Sequence, residues 1–377
     1  MLDIATARDL FPVTADWAYL NNAYRGPISL PAAAAAKGYV DSLCTRGVTA
    51  WADWERTWDD THTELAAFIG AARDEVQLLA NATDALTRVT LGIDWQPGDH
   101  AIVFLRDYPG VVRPVLDLAR RGVLVTTLPE PEDGGRGVQS VVDAITPRTR
   151  LVAASWVDFR SGYKLDVAEL ANACRARGVF CVIDAVQAIG ATPVDAHAIG
   201  ADAMTFAARK YLNGLDSIGA LYIRADVIAQ VAPHSRGTYS VPRPFDFNAV
   251  EQPHADGARR YMLGAPAMPQ VYALQAALRL QREAGPAAIY AATAALADET
   301  RKRARAAGLT TFGDDWPAQA RSQIVSIRRE GKLASEDPAD RLTAAKVAVS
   351  ARQGILRIAP HWYNTSADLQ RLFAALE

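Results

Sequence analysis

Between residues 76 and 223 the apolar positions fall into two alternating patterns. Short, nearly continuous apolar runs alternate with stretches in which apolar residues recur every three or four positions. The first kind reads as buried strands and the second as amphipathic helices. Val76 to Ala80, Asp99 to Leu105, Val123 to Thr127, Arg150 to Ser155, Gly178 to Asp184, Ala203 to Ala207 and Ile218 to Ile223 are the predicted strands. Asp84 to Ile93, Val111 to Arg121, Val138 to Ile145 and Val167 to Arg177 are predicted helices, the last stopped by Gly178. This alternation predicts an α/β fold with a three-layer, mostly parallel sheet.

The flanking stretches read differently. Residues 1–15 suggest a short helix and an arm, and Tyr19 to Pro27 is polar and turn-prone. An Ala-rich helix starts at Pro31, and another helical stretch runs from Trp51 to Gly70. Trp51, Trp54 and Trp58 share one face of it, a stripe that reads as a packing surface rather than a substrate wall. Residues 230–260 hold four prolines and read as a long ordered loop. Pro269 to Ala284 and Ala287 to Ala307 are predicted helices. Ser322 to Ile327, Val347 to Ser350 and Gly354 to Ile358 are predicted strands, and Ser366 is expected to cap a last helix to Leu376. The expected division is a large domain over 16–265 and a smaller α+β domain over 266–377, with residues 1–15 packing against the latter.

Composition narrows the partners. The 377 residues are 50% apolar and 22% charged, enough to build a sizeable core, and carry a formal net charge of −2. That balance speaks against a nucleic-acid or membrane-surface partner. Cys44, Cys174 and Cys181 show no metal-ligand spacing, so no metal is expected, and they fit a reducing cytoplasm. The N-terminus has no apolar signal core, and no apolar run is long enough to cross a bilayer.

Candidate chemistry gathers at predicted strand ends. Asp184 closes one apolar run, and Lys210 follows another by three residues. In open α/β sheets the carboxyl edge is where ligands bind. Either residue alone is more often a helix cap or a solvated side chain. Together they suit pyridoxal 5'-phosphate (PLP): the amine joins the aldehyde, and the acid keeps the pyridine nitrogen protonated. Gln187, one turn past Asp184, reads as a partner for the phenolic oxygen. Ala82 and Thr83 lie between a strand and a helix, where backbone donors suit a phosphate, although Thr83 serves equally as a plain cap. Tyr108 follows the next strand, placed to stack on a flat ring or to be an ordinary loop tyrosine. Asp158 follows a further strand and is expected to reach the same crevice. Arg357 offers a planar fork for a substrate carboxylate, against a surface ion pair as the plainer reading; Arg352 reads as structural.

These residues resemble the class V aminotransferase family, PLP enzymes of fold type I that include cysteine desulfurases, isopenicillin-N-epimerase-like proteins and kynureninases. The resemblance spans nearly the whole chain. It is carried by Tyr19-Leu-Asn-Asn-Ala23, Ala82-Thr83, Asp184-Ala-Val-Gln187, Lys210, and Arg357 with Tyr363-Asn-Thr365. Tyr108 falls where the family has a ring-stacking His or aromatic, and Tyr211-Leu-Asn-Gly214 looks kynureninase-like. Ala207 and Arg209 replace the Ser and His that often precede the lysine, so Arg209 is expected to supply charge to the phosphate. Gly264-Ala265-Pro266 stands for the family's Gly-Thr-Pro, with Ala265 keeping a backbone donor for the phosphate of a neighbouring subunit. No cysteine lies between Val347 and Arg357, which argues against a desulfurase that uses a protein persulfide.

The resemblance implies a cytoplasmic homodimer acting on an amino acid by removing its Cα proton. Transamination leads by family frequency. Carbon–sulfur β-elimination on a cysteine conjugate, epimerisation and a non-catalytic PLP-fold scaffold follow. Tyr24, Arg25 and the 230–260 loop, with His234, Arg236 and Tyr239, are expected on the substrate side. A nicotinamide dehydrogenase is disfavoured, because no strand runs into a Gly-x-Gly-x-x-Gly turn.

Overall fold

A computed structural model describes residues 4–131, 133–328, 338–352 and 354–377. Seven strands form its main sheet: β1 Val76–Leu79, β2 His100–Phe104, β3 Leu124–Leu128, β4 Thr149–Ser155, β5 Phe180–Asp184, β6 Ala203–Ala207 and β7 Gly219–Ile223. Their order across the sheet is β1-β7-β6-β5-β4-β2-β3. Neighbours pair in parallel from β6 to β3, while β7 runs antiparallel to both β1 and β6.

Alternate residues of each strand enter different cores. Ile102, Val152, Ile183 and Phe206 join one apolar cluster; Val103, Leu151, Val182 and Leu221 join another. Both faces are therefore covered, and for that reason the strands read as continuous apolar runs rather than alternating ones.

Three further strands, β8 Val325–Arg328, β9 Ser350–Arg352 and β10 Ile355–Ile358, make a small antiparallel sheet in the order β9-β10-β8. Leu296 and Ala304 of the helix Pro286–Ala306 pack on it, with Leu369, Leu372 and Phe373 of the last helix, Ser366–Leu376. The N-terminal stretch joins this layer. Ala18–Tyr19 pairs in parallel with Val347–Ala348, and Ala18 and Leu20 enter the same core. Phe11 stacks on Tyr363 at 4.2 Å between ring centroids. The single strand expected over Val347 to Ser350 is thus two: Val347–Ala348 serves the N-terminal stretch and Ser350–Arg352 serves β10.

Local capping moves two helix starts. Asn81, not Thr83, caps the helix Ala82–Gly92, its side chain accepting from the Asp84 N–H at 2.8 Å. The last helix begins after Thr365 rather than being capped by Ser366. Residues 230–260 form a loop with only short turns of helix, tied across by Gln252, which bonds the Arg243 N–H and carbonyl at 3.0 and 2.8 Å. In the tryptophan stripe Trp54 is buried and Trp51 exposed, with Trp51 set edge-on to Phe245 at 6.0 Å. No helix among the described residues is long and apolar enough to cross a membrane.

Asp368 fastens the two chain ends together. Its buried carboxylate accepts from Arg8 Nη1 at 2.8 Å, the Thr365 N–H at 2.9 Å and Asn364 Nδ2 at 3.2 Å. Asp368→Ala should lower stability by about 2 kcal/mol, because it removes a helix cap and the carboxylate facing Arg8. In urea this reads as a lower midpoint at unchanged slope; an unchanged midpoint would rule the clasp out.

Candidate active site

The carboxyl ends of the parallel strands converge on one cavity. β4 ends at Ser155 and β5 at Asp184, paired in register, and Asp184 in turn faces Thr205 of β6. Three residues beyond β6 comes Lys210. A cavity of about 170 Å³ is lined by Asn81, Ala82, Thr83, Tyr108, Asp184 and Lys210, among others. A second chamber, about 270 Å³, adjoins it through Tyr108, Phe159, Gln187, Arg209 and Lys210, and extends to Tyr24, Ser350 and Arg357. The acid and the amine that lie 26 residues apart in sequence therefore share one wall.

A tight turn presents the lysine. The Asn213 N–H bonds the Lys210 carbonyl at 3.0 Å, with Asn213 in the left-handed region at φ 55°. The segment Tyr24–Pro27 clamps this turn from outside. The Gly26 N–H donates to the Arg209 carbonyl at 2.8 Å, and Asn213 Nδ2 donates to the Pro27 carbonyl at 3.1 Å. Gly26 must be glycine: a Cβ there would fall 2.2 Å from the Lys210 carbonyl oxygen.

Burial tunes both groups. It pushes the Asp184 carboxyl up to about 6, against the Val186 N–H and the Lys210 charge that favour ionisation, with the Asp107 charge adding to the rise. Burial likewise brings the Lys210 amine down to about 7. Asp184 opposes that fall, and the Arg357 and Arg209 charges deepen it. An amine with a substantial neutral fraction at neutral pH is both nucleophile and base.

The donor set fits PLP. The N–H groups of Ala82 and Thr83, at the start of an eleven-residue helix, meet no acceptor among the described residues and border the cavity. Gly110 keeps that corner open, since a Cβ there would lie 2.3 Å from Thr83 Oγ1 and 3.1 Å from the Tyr108 ring. Asp184 Oδ1 accepts from the Val186 N–H at 2.8 Å, and Oδ2 takes no hydrogen bond from the described residues. Gln187 donates through Nε2 to the Ala23 carbonyl at 3.0 Å, which leaves the second Nε2 hydrogen to donate, and its buried Oε1 has no partner among the described residues. Tyr108 stands with its ring centroid 5.3 Å from Lys210 Nζ.

Not every expected residue meets here. Asp158 does not reach the cavity. It is fully buried, ion-paired with Arg136, and accepts from the Arg160 and Ser161 N–H groups. Phe159, the next residue, lines both chambers instead. Arg25 turns outward to Asp216 at 2.6 Å and is absent from the lining, whereas Tyr24 belongs to it. Ala265 lies on a separate groove with Asp84, Arg88 and Ser217. His234, Arg236 and Tyr239 line neither chamber. Arg209 borders both, held loosely by the Tyr24 carbonyl at 3.4 Å and by Asp216 at 3.8 Å. Arg357 donates to the Phe159 carbonyl at 2.6 Å. Sequence reasoning missed Ser155, Phe159 and the buried Arg136. Ser155 and Phe159 were legible as strand-end positions; Arg136, in a polar glycine-rich loop, carried no signal.

A parallel sheet with a buried lysine and a buried acid at its carboxyl edge defines a PLP-dependent enzyme of fold type I. The family model described as aminotransferase class V matches residues 40–372, and the chain belongs to that family. It is 28% identical to the uncharacterized aminotransferase YcbU of Bacillus subtilis over 96% of this chain and 94% of the relative. It is 26% identical to a probable cysteine desulfurase of Halobacterium salinarum over 100% and 96%. Among solved structures, the cystine C–S lyase C-DES in complex with its product cysteine persulfide superposes with a TM-score of 0.90 at 22% identity, covering 97% of this chain and 98% of that one. The apo cysteine desulfurase of Thermococcus onnurineus gives 0.88 at 20%, covering 100% and 98%.

In the cofactor-free protein, acetylation of Lys210 should titrate with a midpoint near pH 7, while ordinary surface lysines titrate at about 10.4. Asp184→Asn should move that midpoint lower still, because it removes the negative charge that holds the proton on the amine. Mass-spectrometric labelling against pH reads both; a Lys210 midpoint near that of the surface lysines would mean a solvated amine.

Proposed function

We propose that this chain is an amino-acid aminotransferase that holds PLP in the inner chamber and its amino-acid substrate in the outer one. The observation that carries the reading is Lys210, which borders both chambers with Asp184 behind it. Bound there, PLP supplies an electron sink for the charge left when Cα loses its proton. Ala82 and Thr83, with Arg209, would hold the phosphate. Asp184 would partner the pyridine nitrogen, Gln187 the phenolic oxygen, and Tyr108 would supply a flat ring beside the pyridine. Arg357 takes the substrate carboxylate through its fork, already braced by the Phe159 carbonyl. Lys210 Nζ, its charge disfavoured by burial, would take the Cα proton and pass it to the cofactor's carbonyl carbon rather than back to Cα. The homodimer expected of the family is part of the proposal, with the Gly264 to Pro266 backbone completing the phosphate pocket of a second copy.

The transfer reading draws on the aminotransferase relative that matches nearly end to end. A second reading, β-elimination from a cysteine conjugate, draws on the desulfurase relatives and the C–S lyase fold neighbour. Neither chamber is lined by a cysteine, and Cys174 and Cys181 are buried in the core, so sulfur would not leave on a protein thiol here.

Lys210→Ala should abolish turnover, and borohydride reduction, which fixes the cofactor on Lys210 in the wild type, should leave no adduct on that peptide; a mutant that keeps full turnover refutes the scheme. Arg357→Ala should raise KM for an amino acid by about a hundredfold, since a bidentate charged contact is lost. Turnover that strictly needs a keto-acid acceptor marks transfer. Pyruvate and ammonia released without one mark elimination.

A further inference from the structure

Arg136 is a deeply buried charge near the site, yet it touches neither chamber. It sits in the loop after β3, and its side chain is 1% exposed. Gly134 lets that loop press inward, at φ 74° and with a Cβ position only 2.8 Å from Ser161 Cβ. The guanidinium lies between two carboxylates that are themselves fully buried. Nη1 is 3.0 Å from Asp107 Oδ2, and Nη2 donates to Asp158 Oδ2. Nη2 also reaches the Arg106 carbonyl at 3.2 Å, and the group stands 5.1 Å from the centroid of the Phe104 ring. Burial alone would depress the Arg136 pKa, but the Asp107, Asp158 and Glu130 charges hold it above its ordinary value.

Each carboxylate continues to a different wall. Asp107 accepts from the Tyr108 N–H at 2.6 Å, the Ser155 N–H at 2.8 Å and Ser155 Oγ at 2.5 Å. Tyr108 and Ser155 line the inner chamber. Asp158 Oδ1 accepts from the Arg160 N–H at 3.0 Å and from the Ser161 N–H and Oγ at 2.5 and 2.8 Å. Those bonds close a turn around Phe159, whose carbonyl accepts from Arg357 Nη1 at 2.6 Å.

We infer that Arg136 is a positioning residue that sets the two walls relative to each other, the cofactor wall through Asp107 and the substrate arginine through Asp158 and Phe159. This rests on reading the inner chamber as the PLP pocket and the outer one as the amino-acid pocket. A planar fork can bond carboxylates on two sides at once; a single ammonium at the same place cannot hold both in register. Lysine is therefore no substitute here, although it keeps the charge.

The test uses the loaded enzyme with glycine and methylamine as probes, alike except for the carboxylate. The cofactor's visible circular dichroism reads the inner wall, and the ratio of glycine to methylamine affinity reads Arg357. Asp158→Asn should lower that ratio about tenfold, the worth of a misaligned charged contact. Asp107→Asn should change the dichroism and keep the ratio. Arg136→Lys should do both. In an Arg357→Ala background, Asp158→Asn should have no further effect on the ratio. The inference falls if Arg136→Lys or Asp158→Asn leaves the ratio within about twofold, or if Asp158→Asn lowers it equally without Arg357. Should Arg136→Lys not fold, the two half-variants decide alone. A wild-type protein with no visible band would overturn the cofactor reading itself, and this inference with it.

Discussion

The site depends on taking an acid and an amine out of water side by side. Isolated, each would be expelled or neutralised by the cost of burying a charge. Together at the ends of β5 and β6, each partly compensates the other, and burial leaves the lysine close to neutrality at physiological pH. Desolvation is thus the source of the reactivity, and it needs the whole sheet. Strands covered on both faces keep water from below, and the clamp at Gly26 keeps the lysine turn from opening outward.

The second requirement is that two separately built layers agree on one geometry. Arg357 comes from the small antiparallel sheet, while the carbonyl that braces it, that of Phe159, comes from the loop after β4 of the large one. Gln323 ties the layers again, donating to the Gln187 carbonyl at 2.5 Å. His361 and Gln281 both donate to the Tyr211 carbonyl, just beyond the lysine. Polar contacts of this kind carry direction that apolar packing lacks, and they sit where the layers meet beside the cavity.

Much of the large sheet was legible because its cause is local. A strand buried on both faces must be apolar throughout, and its flanking helices show their period directly. Within that sheet and its helices, errors were confined to ends. Asn81 outcompetes Thr83 as a cap because its side chain meets the Asp84 N–H, a choice between adjacent polar residues that composition cannot rank. The split of Val347 to Ser350 follows from two different partners, Ala18–Tyr19 and β10, neither visible from that run alone.

For the site, the chain by itself determined which residue types stand at strand ends, because hydrophobic runs stop where the sheet does. That located Asp184, Lys210, Tyr108 and the Ala82–Thr83 turn at a common edge. Only the tertiary structure decided where side chains point beyond that edge. Asp158 and Phe159 are neighbours in one short turn, yet a buried guanidinium 22 residues earlier draws the carboxylate inward and leaves the ring to face the cavity. Arg25 and Tyr24 part in the same way, one drawn off by Asp216. Periodicity fixes a residue's place along the backbone; the direction of a polar side chain is set by whichever distant charge satisfies it.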